Sequence, residues 1–229
     1  MNRAPITPCF SLTQALLSLL RRRGVLELCS DGDLSAPESL RRAIYDPLTW
    51  RYLRGWAHIS DLESKLRCWL IELASSDDTA ADKLALWRVL ASAELEGYLA
   101  HLLRRHGLSP QWAVDIDDSG AYWDSGLSLA QMRYVVWASV REGAGAFLRS
   151  GGNQERTRDA IANELRRRSR WIEGHVDFGQ RFLPAPGARR SILLTTFLED
   201  VAPLGPRYWL IAPSLASLRD LAPYRSKRR

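Results

Sequence analysis

Between positions 80 and 106, Leu84, Trp87, Ala91, Leu95, Tyr98, Leu99 and Leu102 place an apolar side chain every three or four residues. That is the repeat of one face of an α-helix, not the alternation of a half-buried strand. Gly107 and Pro110 follow as stop signals. The same repeat returns at 127–148 with Leu129, Met132, Val136, Val140 and Phe147, and at 153–172 with Ile161, Leu165 and Ile172. Ser150-Gly151-Gly152 separates these two stretches, and Asn153 stands where a helix cap belongs. Three long amphipathic helices must bury their stripes on one another, which commits the chain to a mainly α architecture. Gly143, Ala144, Gly145 and Ala146 form a small-residue surface where another helix approaches closely.

Elsewhere the elements are shorter. Leu12, Leu16, Leu19 and Leu20 mark a first helix ending at Gly24, and 25–29 alternates like a short strand before a polar turn at 30–33. Short helices are expected at 37–44 and 47–56. Ser60-Asp61-Leu62-Glu63 reads as a capping box opening a helix with Leu66, Trp69, Leu70 and Leu73 inward. The segment 112–116 reads as a strand, Asp117-Asp118-Ser119-Gly120 as a turn and 121–123 as the return strand. Near the end, 192–201 reads as a helix, 208–211 as a strand and 214–221 as a final helical turn; together 192–211 resembles a wing-like element. The expected fold is a multi-helix bundle with a central β-hairpin and a small C-terminal β element. It divides into an N-terminal helical half (1–110), a hairpin connector (111–126), a basic C-terminal helical half (127–224) and a basic tail (225–229).

A hydrophobic content of 46% beside 25% charged residues excludes a disordered chain. Nine tryptophans supply bulky core anchors. Cys9, Cys29 and Cys68 are odd in number and lack ligand spacing, which argues against a disulfide framework and a cysteine zinc site. His58, His101, His106 and His175 lack metal-binding spacing. Asp115, Asp117, Ser119 and Gly120 begin like a calcium loop, but Gly126 stands where the closing Glu is needed. Asp118-Ser119-Gly120 echoes an aspartic-protease string without the second copy such chemistry requires. No nucleophile elbow, phosphate loop or dinucleotide fingerprint is present. The expectation is therefore no metal, no cofactor and no catalytic residues. Pro5, Pro8 and Arg21-Arg22-Arg23 break up the opening stretch, and no apolar run is long enough for a membrane span, so a cytoplasmic location is expected.

Charge points to a partner. Residues 1–126 carry 14 Lys and Arg against 17 Asp and Glu, whereas 127–229 carry 18 against 9. Almost all of the cations are arginine, whose planar guanidinium pairs bidentately with phosphate. Arg21-Arg22-Arg23 and Arg104-Arg105 are explained by helix-end dipole compensation. Four arginines within five residues, Arg166, Arg167, Arg168 and Arg170, exceed what a helix end needs. With Arg189, Arg190, Arg207 and Arg228 they are the candidate nucleic-acid-binding residues. The sequence thus predicts a non-enzymatic accessory protein that holds the phosphate backbone of DNA or RNA. The second reading is a protein-interaction or scaffold subunit whose arginines meet an acidic protein surface, and the third an enzyme whose residues are scattered along the chain.

Overall fold

A computed structural model describes residues 5–23, 26–28, 50–52, 68, 79–117, 126–172, 182–184, 188 and 190–220. The elements are α1 (Phe10–Arg22), β1 (Leu26–Leu28), β2 (Trp50–Tyr52), α2 (Ala80–Arg105), α3 (Trp112–Asp117), α4 (Leu129–Arg149) and α5 (Gln154–Ile172). They continue with α6 (Ile192–Thr196), which runs into a π-helical turn at Phe197–Val201, then α7 (Arg207–Leu210) and α8 (Leu215–Arg219). The described part of the chain is mostly helical.

The long repeat at 80–106 is one helix, α2, which buries Trp87, Leu90, Leu95, Leu99 and Leu103. Gly107 ends it with φ of 71°, a left-handed conformation that costs a residue without Cβ little. Leu108 N–H donates back to the Leu103 carbonyl at 2.9 Å, closing the helix end. Helix α4 opens on a reciprocal cap: Gln131 N–H donates to Ser128 Oγ, and Ser128 N–H to Gln131 Oε1. Gly151 and Gly152, with φ of 63° and 89°, turn the chain back. Asn153 Oδ1 then accepts from Arg156 N–H at the start of α5.

Helices α4 and α5 are antiparallel, with Arg168 meeting Tyr134 at one end of the pair and Ile161 meeting Gly143 further along. The pair is close because Gly143 has no side chain. A Cβ built there would lie 2.2 Å from Ile161 Cγ1, and Ile161 is fully buried. Helix α2 packs on α4, while α3 touches both α2 and α5. One apolar core runs from Leu84 to Trp209 and draws on residues before and after the 111–126 stretch. The N-terminal segment joins this body at two places. The Pro5 and Ile6 carbonyls accept from Ile192 and Leu193 N–H at the head of α6, and the Pro8 carbonyl lies over Gly97 of α2.

Two β expectations are overturned. The proposed first strand of the central hairpin is helix α3: Trp112, Ala113 and Ile116 are buried while Val114 and Asp115 are exposed, the pattern of one helical face. A run of five residues with a single charged position, Asp115, is too short to separate the two periods, and packing against α2 and α5 selects the helix. The return strand at 121–123 lies outside the described residues. The C-terminal β element is also absent from the described residues, because 207–210 is helix α7. Adjacent Tyr208 and Trp209 are both buried there, which a strand with alternating faces does not provide. The wing-like reading of 192–211 falls with it.

β1 matches the short strand expected at 25–29. It pairs antiparallel with β2, in register Leu26 with Tyr52 and Leu28 with Trp50, where a helix was expected at 47–56. The expected helices at 37–44 and 62–73, and the basic tail, fall outside the described residues apart from Cys68. No helix among the described residues is long and apolar enough to cross a membrane.

The close approach of α4 and α5 gives a direct test. Gly143→Ala should lower unfolding stability in a denaturant titration by about 1–3 kcal/mol through overpacking, although Gly→Ala elsewhere in a helix gains roughly 1 kcal/mol. Gly126→Ala, with no atom of the described residues within 4 Å of the built Cβ, is the neutral control. An unchanged midpoint for Gly143→Ala would contradict the packing.

Candidate functional site

Helix α5 sorts its arginines by position around the axis. Arg166 and Arg170 lie one turn apart on an exposed face. Arg166 donates to Asn163 Oδ1 at 2.9 Å, and Arg170 has no ion pair among the described residues. The next stripe carries Arg167 and Trp171, again one turn apart, with Trp171 45% exposed. The third carries Glu164 and Arg168. Arg167 reaches across to Glu164 with two hydrogen bonds of 2.7 Å, and Arg168 Nε donates to the same carboxylate. The Arg167 hydrogen bonds, joined by that of Arg168, hold the Glu164 carboxyl below its ordinary range. Much of the charge of Arg167 and Arg168 is thus matched within the helix.

Arg168 also points at α4, where its Nη1 donates to Tyr134 Oη at 3.2 Å. Around this contact lies a half-buried aromatic cluster. Phe182 meets the Tyr134 ring at 5.2 Å and the Trp137 ring at 5.4 Å between centroids. One turn beyond Trp137, the exposed Arg141 lays its guanidinium over the indole, with Cζ 4.7 Å from the ring centroid. One side of the α4–α5 hairpin therefore interleaves Tyr134, Trp137 and Phe182 with Arg141 and Arg168.

The remaining predicted residues lie elsewhere. Arg190 is exposed and acts electrostatically on Glu94 of α2, and Arg207 is exposed at the first turn of α7. Arg189 and Arg228 fall outside the described residues.

A second group, which the sequence reading missed, sits between α2, α4 and α7. Arg133 places its guanidinium 4.0 Å above the Tyr98 ring and 5.7 Å from that of Trp209. Its Nε is buried, as are Trp87 Nε1 and Tyr208 Oη, and none of the three has a hydrogen-bond partner among the described residues. The Tyr208 ring stacks near Trp87 at 6.3 Å. Glu94 is largely buried, and burial pushes its carboxyl up to about 7, outweighing the attraction of Arg133 and Arg190. Burial likewise lowers Arg133. For both partners desolvation outweighs the Coulomb attraction between them. Burial also raises Tyr98 and Tyr208.

The signal for this group was in the pattern. Glu94 lies two turns after Trp87 on the apolar stripe of α2, and Arg133 lies on the stripe of Leu129, Val136 and Val140. Among the described residues no three His, Cys, Asp or Glu side chains gather as metal ligands. No protein-family model, curated protein or solved structure matches the chain.

Glu94 makes stability depend on pH. The folded state keeps its proton to about pH 7, whereas the unfolded carboxyl releases it near its ordinary value of 4.5. Between those values the folded state binds more protons, so the contribution of Glu94 falls as pH rises through the window. Glu94→Gln should match the wild type below pH 4.5 and exceed it above pH 7, by on the order of 1–3 kcal/mol. Urea titrations at pH 4 and pH 8 check this; an equal difference at both pH values would contradict it.

Proposed function

We propose that this chain is a non-enzymatic nucleic-acid-associated protein that holds phosphate groups on the arginine faces of α5. The observation that carries the reading is the exposed pair Arg166 and Arg170, one turn apart and away from the carboxylate that occupies Arg167 and Arg168. Guanidinium groups so placed follow a phosphate backbone with little reorganisation, and the adjoining stripe adds Arg167 and Trp171. The excess of cations over residues 127–229 supports the same partner through long-range attraction. The neighbouring α4 surface extends the region with Arg141 and its aromatic partners.

Neutralised phosphates release counterions, so affinity should fall with salt. About three contacts give a slope of log K against log salt of roughly −3 on duplex DNA and −2 on single strands. The double variant Arg166→Ala with Arg170→Ala should weaken binding to every sequence and flatten the duplex slope by about two units. Fluorescence anisotropy at several salt concentrations measures both quantities. Failure of duplex and single-stranded DNA and RNA to bind micromolar protein at low salt would overturn the reading and favour a protein partner.

A further inference from the structure

We infer that the ligand of the α4–α5 surface is single-stranded nucleic acid, with an unpaired base stacking on the Trp137–Arg141 pair. This inference rests on the nucleic-acid reading above and names the strand form that the surface selects. Recognition of a duplex backbone needs cations spaced along phosphates and leaves the bases inside the helix. Nothing in that task calls for aromatic rings. Single strands expose their bases, and proteins hold them by combining arginines with aromatic rings and guanidinium planes on which bases stack.

The described surface has both parts. Trp137 and the guanidinium of Arg141 already form a two-layer pile, with Cζ 4.7 Å from the ring centroid. Arg141 is exposed, so the pile offers a planar cationic outer layer to solvent. Phe182 packs against Trp137 and Tyr134 at 5.4 and 5.2 Å between centroids, and the Tyr134 hydroxyl accepts from Arg168. The platform is thereby positioned before a ligand arrives, which limits the ordering cost of binding. Arg167 lies on the stripe of α5 next to that of Arg168, and the exposed Arg166 and Arg170 lie one stripe further round the helix, available to the backbone of a strand that wraps from the pile onto α5.

The test separates stacking from charge. Arg141→Lys keeps the positive charge and removes the planar group. Anisotropy titrations would compare a short unpaired oligouridine with a duplex of equal length. The wild type should bind the unpaired strand about tenfold more tightly at the same salt. Arg141→Lys and Trp137→Leu should each weaken that binding by about five- to tenfold, the lower part of the range for one base–aromatic stack. Both should leave the salt slope and duplex binding unchanged, and Trp137→Phe should restore most of the loss. Retained thermal midpoints and helical circular dichroism establish that the variants fold. Equal binding of the two strand forms, or no effect of Arg141→Lys while the Arg166 and Arg170 double variant still weakens binding, overturns this inference and leaves the phosphate-binding reading standing. Absence of binding to either form overturns both.

Discussion

The contact of Gly143 with Ile161 fixes how near α4 and α5 come to each other, and the arginine and aromatic surface beside them depends on that spacing. Interiors are close-packed, so the separation of two helices is set by the side chains between them. With no side chain at 143, Ile161 fills the gap and remains fully buried. The two axes are then near enough for Arg168 of one helix to reach Tyr134 of the other. A wider separation would part that hydrogen bond and leave Glu164 and its two arginines without a link to the aromatic cluster.

Charge in this chain is handled in two ways. On α5, Glu164 draws in Arg167 and Arg168, and the remaining arginines face outward. Glu164 is the less exposed partner in both pairs, and the pairs decide which guanidiniums already have a carboxylate. Between α2 and α4, the half-buried Glu94 and Arg133 lie close enough to influence each other, and desolvation raises the Glu94 carboxyl and lowers the Arg133 guanidinium. The two regions share α4: Arg133 faces inward beside Tyr98, and Trp137 with Arg141 lies at the surface.

Long helices were legible in the sequence because their repeats extend over many turns. The stripe from Leu84 to Leu102 and the caps at Ser128 and Asn153 left few alternatives, and the small-residue surface at Gly143 is where α5 approaches. Short segments were not legible, since 112–116 and 208–211 satisfy a strand pattern over too few residues for the two periods to differ. Their conformation is decided by what they pack on, which is α2 and α5 for the first and α4 for the second. The candidate arginines were recognisable by density, but their allocation depends on angular position and on the single carboxylate of Glu164. The Trp137–Arg141 stack lies at ordinary helical spacing and acquires its meaning from Phe182, which is distant in sequence.

On the proposed reading, one side of the α4–α5 hairpin receives a nucleic acid. Photo-crosslinking to an unpaired oligonucleotide containing thiouridine, followed by mass-spectrometric mapping of the adducts, tests it most directly. Adducts should fall at Tyr134, Trp137 and Phe182, and should diminish when unlabelled single strand competes. Adducts confined to α1, α2 or the surroundings of Arg207, or a pattern that competitor does not change, would contradict the account.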